Sequence, residues 1–322
     1  MNGNNTAVKV KELEKKFGNF TAVNRIDFEV NQGEIFGFLG PNGAGKSTTI
    51  RMLCGILSPT SGSGQVAGFD IIREQESIKQ NIGYMSQKFS LYEDLTVEEN
   101  INFYSGIYRI PEEKKLERKE WVIKMAGLSD FRVSRTGILS GGWKQRLALG
   151  CAIIHEPKIV FLDEPTSGVD PISRQNFWSL IKDMAKNGVT VFVTTHYMDE
   201  AENCNRLALI YKGDIIAMGT PTQLKTESMK EDVLEIILPS AQDWIEELMK
   251  INGVKEVALF GTAIHAVVDD ARQIEVLIKD FFKKENVDNY AVNKIQPSLE
   301  DVFVSLIESF DRKKSDNETL KN

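Results

Sequence analysis

GPNGAGKST, residues 40–48, stands between an apolar run, EIFGFLG (34–40), and a helix-like stretch, KSTTIRMLCGIL. It fits G-x-x-x-x-G-K-[ST] through Gly40, Gly45, Lys46 and Ser47. Glycine adopts positive φ at little cost, so such a loop can wrap its backbone closely around phosphates. The helix that follows aims its free N–H groups at the same anion. Gly40, Pro41, Asn42, Gly43, Ala44, Gly45, Lys46, Ser47 and Thr48 are therefore the expected phosphate cradle. Lys46 is expected to reach the β- and γ-phosphates, and the Ser47 hydroxyl to bind Mg²⁺. The plainer alternative is a tight turn without ligand. The strand before and the helix after argue against it.

Further apolar runs recur downstream. IGYMSQ (82–87), KIVFLDEP (158–165) and VTVFVTTH (189–196) read as strands. The last two are nearly continuous in β-branched and aromatic residues, as in a sheet buried on both faces. Helical patterns such as RQNFWSLIKDMAKNG follow them, so the spacing predicts an α/β fold with a largely parallel core sheet. Before the loop, AVKVKELEKKFGNFTAVNRIDFEVNQGE reads as short strands and turns, an antiparallel side sheet. Residues from 88 to about 150 read as a charged, mostly helical insertion. After the polar stretch TPTQLKTES (220–228) the pattern becomes β-α-β-β-α-β-α. That order predicts a small α+β, ferredoxin-like domain. The expected divisions are 1–228, 229–309 and a disordered polar tail, 310–322.

Composition narrows the function classes. The chain has 322 residues, of which 42% are hydrophobic and 26% charged, as in ordinary globular proteins. A net charge of −7 argues against a nucleic-acid partner. No apolar run is long enough to span a bilayer, and MNGNNTAVKVKELEKK lacks the apolar core of a signal peptide. Cys54, Cys151 and Cys204 stand far apart, without metal spacing, and suit a reducing compartment.

KIVFLDEP ends a hydrophobic strand on two acids. Asp163 is placed to hold Mg²⁺, and Glu164 to orient or deprotonate an attacking water. In isolation the pair also reads as a cap after a strand. LSGG (139–142) likewise reads equally well as a helix cap when taken alone.

Together the phosphate loop, LSGG, the strand ending in DE, SGVDP (167–171) and the strand ending in His196 resemble the nucleotide-binding subunit of ATP-binding cassette (ABC) transporters, over about residues 7–222. The resemblance implies a P-loop NTPase core and a head-to-tail dimer with itself, sandwiching two ATP molecules. Ser140, Gly141 and Gly142 of one chain then meet the γ-phosphate held by the other's loop. It further implies that Phe17 stacks on adenine, where tyrosine is commoner. Phe17 also reads as a core aromatic. Gln87 is implied to contact Mg²⁺ and water, Asp170 to cross the dimer interface, and His196 to contact the γ-phosphate. Two further positions depart from the pattern. Val169 replaces the usual leucine, and Trp143 stands where glutamine or another polar residue is usual. The indole is expected at the dimer seam or against the opposite nucleotide.

Three functions are compatible with such a cassette: a transporter motor, a soluble ABC ATPase of DNA repair, chromosome structure or translation, and a sensor without turnover. The stretch between Lys46 and Ser140 is too short for a long coiled coil, only one cassette is present, and Glu164 and His196 are both in place. Importer motors resemble this core but carry a longer, mostly β extension. THYMDEAE (195–202), GTPTQL (219–224) and PSLEDVF (297–303) resemble the motors of ABC-2 exporters, which drive drug, sodium or lipid-linked export. PSLEDVF also has a local meaning, because Ser298 and Asp301 fit a capping box. The resemblance implies a separate ABC-2 type permease as partner, no nucleic acid, and a peripheral place at the cytoplasmic face of the membrane.

Overall fold

The structure is a computed structural model that describes residues 6–88, 91–229 and 231–319. It divides into two units, 1–218 and 219–322.

The first unit is built on two sheets. The antiparallel side sheet has the order β2-β1-β4-β5, from β1 (Thr6–Phe17), β2 (Phe20–Asn31), β4 (Ser61–Val66) and β5 (Phe69–Asp70). The core sheet runs β10-β9-β3-β8-β7-β6. Its strands are β3 (Ile35–Leu39), β6 (Ile82–Met85), β7 (Ile159–Asp163), β8 (Thr190–Thr195), β9 (Arg206–Tyr211) and β10 (Asp214–Gly219). The pairs from β9 through to β6 are all parallel. Every residue of β3, β7 and β8 is buried, which explains their unbroken apolar runs. Phe36, Phe192 and Phe161 lie side by side in register across β3, β8 and β7. Phe28 of β2 packs on Phe36 and Phe192 from the side sheet, with ring centroids 5.8 and 6.0 Å apart. This aromatic layer joins the two sheets.

Helices flank the core: α1 (Lys46–Leu53), α2 (Gln75–Asn81), α6 (Pro171–Lys186) and the short α7 (Met198–Ala201). The expected helical insertion is α3 (Val97–Ile107), α4 (Glu112–Ala126) and α5 (Gly141–Ile153). These close around their own core of Val97, Ile101, Val122, Ile123, Leu147 and Cys151. Phe89 and Ser90, at the start of that insertion, lie outside the described residues.

In the second unit β11 (Asp232–Ile237), β12 (Val254–Phe260), β13 (Ala263–Val268) and β14 (Ala291–Ile295) form an antiparallel sheet of order β12-β13-β11-β14. A 3₁₀ turn leading into α9 (Ile245–Leu248) connects β11 to β12, and α10 (Ala271–Lys284) connects β13 to β14. This is the split β-α-β arrangement of a ferredoxin-like domain. The final helix, α11 (Leu299–Thr319), opens on the capping box: Asp301 N–H donates to Ser298 Oγ, and Ser298 N–H to Asp301 Oδ2.

Two boundaries differ from the sequence reading. The stretch 220–228 is not a plain linker, because α8 (Pro221–Glu227) forms there and packs on α11. Thr220 and Gln223 cap it reciprocally and proline occupies its first turn, so local chemistry favours helix over coil. The division between units accordingly falls at 218/219. The tail expected to be disordered from residue 310 continues α11 to Thr319; no proline or glycine interrupts it, and Arg312 pairs with Glu308 one turn back. Residues 320–322 lie outside the described residues. Among the described residues, no helix is long and apolar enough to cross a membrane.

Candidate active site

Four adjacent parallel strands release the candidate residues at one edge of the core sheet. The phosphate loop follows β3, His196 follows β8, Asp163 ends β7, and Gln87 lies two residues beyond β6. Register holds these ends level, with Leu39 opposite Thr195, Asp163 opposite Thr194, and Leu162 opposite Met85. The carboxyl ends of parallel strands in an open α/β sheet are where ligands bind.

The loop's shape depends on its glycines. Gly45 caps α1 at φ +113°, and a Cβ there would lie 2.5 Å from the Ala22 carbonyl oxygen. A Cβ on Gly40 would lie 2.2 Å from the Ile210 carbonyl oxygen. Neither position admits a side chain without moving backbone. Gly43, at φ +81°, faces open space, so its requirement is conformational.

Lys46 is buried, and its ammonium donates to the carbonyls of Gly40 (2.7 Å) and Pro41 (3.1 Å). Its Nζ also lies 3.1 Å from Glu164 Oε1. Asp163 is buried and accepts hydrogen bonds from Ser47 Oγ at 3.0 Å and Thr194 Oγ1 at 2.8 Å. Burial pushes its carboxyl above the usual range, against the pull of those two hydroxyls.

Glu164 occupies the left-handed region at φ +48°, uncommon for a residue with a side chain. Its amide is held there by the carbonyl and hydroxyl of Thr194, at 3.1 and 3.0 Å. Strained backbone of this kind persists where the surroundings enforce it, and it often marks a working residue. The buried carboxylate accepts from Gln87 Nε2 at 2.9 Å, and its Oε2 lies 3.5 Å from His196 Nδ1. That imidazole nitrogen is buried and makes no hydrogen bond. Lys46, Gln87 and His196 thus converge on one carboxylate.

The donor set suits a hard divalent cation. Ser47 and Asp163 already share a hydrogen bond, and Gln87 spends its amide N–H on Glu164, which leaves its carbonyl oxygen. Hydroxyl, carboxylate and amide oxygens are what Mg²⁺ prefers.

The cleft over the loop is walled by Asn42, Gly43, Gly45, Lys46, Ser47, Thr48, Gln87 and Glu164. Phe17, Phe20 and Ala22 complete it. Phe17 is 50% exposed and therefore not a core aromatic. Phe20, 62% exposed, pairs with it across the hairpin of β1 and β2. The sequence reading missed Phe20; the signal was FGNF, in which Gly18 takes φ +57° and turns both rings to the same end.

Ser140, Gly141, Gly142 and Asp170 do not line this cleft. Ser140 and Gly141 are exposed at the start of α5, and the Ser140 hydroxyl does not cap that helix. Gly142 is pressed against α6, where a Cβ would lie 2.5 Å from Ser173 Oγ. Asp170 is exposed and caps α6, accepting from Ser173 N–H at 2.9 Å. Trp143 turns inward. Its ring lies 5.0 Å from Phe131 with the Arg146 guanidinium 4.8 Å away, packed into the helical insertion. The ring is half-buried there.

The ABC transporter family model matches residues 23–167. A probable multidrug ABC transporter ATP-binding protein, YbhF of Escherichia coli K12, is 49% identical over 75% of the chain. The chain spans only 43% of that relative's length. The daunorubicin/doxorubicin resistance ATP-binding protein DrrA of Streptomyces peucetius is 34% identical, over 93% of this chain and 92% of its own. The linearmycin resistance ATP-binding protein LnrL of Bacillus subtilis 168 is 31% identical, over 93% and 97%. Among solved structures, cbiO1 of Clostridium perfringens, part of the ABC transporter complex cbiONQ, superposes with a TM-score of 0.64 at 28% identity, covering 70% of this chain and 92% of that one. The dimeric cassette MJ0796, bound to ADP and Pi, gives 0.60 at 27% identity, over 66% and 98%.

Proposed function

We propose that this chain, which belongs to the ABC transporter family, is the ATP-hydrolysing motor of an ABC-2 type exporter, working as a head-to-tail dimer on a separate membrane permease. The observation that carries the reading is the convergence of Lys46, Gln87 and His196 on Glu164, beside the Ser47–Asp163 pair. The names of the relatives, for drug resistance and for Nod factor export, support the exporter branch.

Phosphates enter over α1, where Lys46 and the loop amides neutralise their charge and Phe17 offers its ring face to the base. Ser47, Asp163 and Gln87 would hold Mg²⁺, which would supply charge neutralisation at the phosphates. Glu164 orients water and accepts its proton, and His196 supports the γ-phosphate side. Ser140 and Gly141, exposed at the start of α5, act with Gly142 on the partner's ATP, and Asp170 lies at the crossing between chains. The motor sits at the cytoplasmic face of the membrane, held there by the permease.

Co-purification with a neighbouring membrane protein of several apolar spans, followed by ATPase assays with and without it, tests this reading. Stimulated turnover in the complex is expected. Turnover without any membrane partner, with binding to DNA or ribosomes, would overturn it.

A further inference from the structure

Glu200 of α7 has no part in the reaction described above, yet its carboxyl group is buried, at 2% exposure. A buried carboxylate is retained only if it is paired and hydrogen-bonded. Its two oxygens are used separately. Oε1 accepts from the hydroxyl of Thr166, and Oε2 from the hydroxyl of Thr195 at 2.8 Å. Thr166 lies two residues after Glu164, in the loop that leads to Asp170. Thr195 immediately precedes His196, and its Oγ1 also accepts from Tyr197 N–H at 3.0 Å. Both threonines are 1% exposed, so water does not substitute for either bond.

A third tie comes from α6. Arg174, one turn beyond Asp170, places Nε 3.6 Å from Glu200 Oε1 and a terminal nitrogen 3.4 Å from Asp199. Its guanidinium lies 4.3 Å from the Tyr197 ring, whose centroid is 4.1 Å from that of His196.

We infer that Glu200 is a positioning residue for hydrolysis, a carboxylate bridge that fixes the loop between Glu164 and Asp170 against the strand end presenting His196. The inference rests on the ATPase reading above. One rigid carboxylate holding both segments means that a shift of the Asp170 loop moves His196 with it. Displacement at the level of an ångström is enough to impair a catalytic constellation. Lys46 and the phosphate loop make no contact with the bridge's three side chains, so its loss should change nucleotide affinity far less than turnover.

The test uses the full chain with MgATP. Glu200→Gln keeps the shape, loses the charge and can no longer accept equally through two oxygens. We expect kcat to fall about tenfold or more with KM within about twofold of wild type. Thr166→Val should reproduce the loss, and Thr166→Ser, which restores the hydroxyl, should rescue it. Thr166→Val combined with Thr195→Val should be no slower than the worse single variant, because both cut the same bridge. Unchanged kcat in Glu200→Gln overturns the inference. So does a fall in kcat matched by a rise in KM and a lowered melting temperature, or a Thr166→Ser variant as slow as Thr166→Val. If Glu200→Gln does not fold, the Thr166 pair decides alone. Wild-type turnover, and its loss in Glu164→Gln, check the underlying reading separately: inactive wild type removes both, whereas active wild type with an active Glu200→Gln removes only the bridge.

Discussion

Lys46 Nζ lies 3.1 Å from Glu164 Oε1, both side chains being almost fully buried. The group assigned to the phosphates and the group assigned to the water are therefore paired with each other. Phosphate must compete with the carboxylate for the lysine. Glu164→Gln removes both the proposed base and the competing charge. Hydrolysis should fall by about 10²–10⁴-fold. Binding of MgATP should be as tight as in wild type or tighter, measured with a fluorescent analogue under conditions without turnover. Weakened binding would show that Glu164 helps to build the phosphate site rather than to act on water.

The exposed start of α5 leads to a complementation test. Ser140→Arg sets a bulky cation on a surface apart from the chain's own cleft. It should leave nucleotide affinity near wild type and abolish dimer formation and turnover. Lys46→Ala should instead weaken binding itself, since Lys46 walls the cleft. In the proposed head-to-tail dimer the two variants, mixed together, place both lesions in one composite site and leave the other intact, so part of the ATPase activity should return. Wild-type turnover by dilute, monomeric Ser140→Arg would sink the composite site.

How much of this was legible in the sequence depends on the range of the interactions. GPNGAGKST and KIVFLDEP declare themselves locally, because glycine torsions and a buried strand leave composition signatures. The place of Trp143 did not, since Phe131, against which its ring packs, is supplied by the fold of the helical insertion, and only Arg146, one turn on in the same helix, is a local neighbour. Convergence on Glu164 was equally hidden: it requires the strand order β3-β8-β7-β6, which brings Gln87 within 2.9 Å from 77 positions away in sequence. The helix at Pro221–Glu227 was legible through the Thr220–Gln223 box, but the polar composition of the stretch outweighed that signal.

Trp143 gives a prediction that separates packing from catalysis. Truncating it opens a gap between Phe131 and Arg146 in the insertion's core. Trp143→Ala should destabilise the chain by about 2 kcal/mol, less than for a fully buried tryptophan because the ring is half-buried. Nucleotide affinity should not change, because Trp143 is not a wall of the cleft. Thermal unfolding and nucleotide titration of the same preparation check both parts. A large loss of affinity at unchanged stability would return the indole to the nucleotide.

Glu256 of β12 supplies a pH dependence of stability. Its side chain is buried in the second unit, and burial, reinforced by Glu308 and Asp301 and opposed by Arg312, lifts its pKa to about 7. A carboxyl whose folded pKa lies above its unfolded value of 4.5 binds its proton more tightly in the native state. Its contribution is therefore fully present below about pH 4.5 and is lost as pH rises through about 7. Above that pH the chain carries an ionised, poorly solvated carboxylate. Glu256→Gln keeps the shape and cannot ionise. It should stabilise the chain at pH 8, by at most about 3 kcal/mol for a shift of this size and by less after relaxation. The advantage should shrink toward zero by about pH 5. Denaturant unfolding of wild type and variant at pH 5 and pH 8 checks this, with Trp244, which contacts Phe281 and Phe282, replaced by Phe in a parallel pair so that the difference spectrum isolates the second unit's signal from Trp121, Trp143 and Trp178. An equal difference between the two proteins at both pH values would mean that packing, not ionisation, distinguishes them.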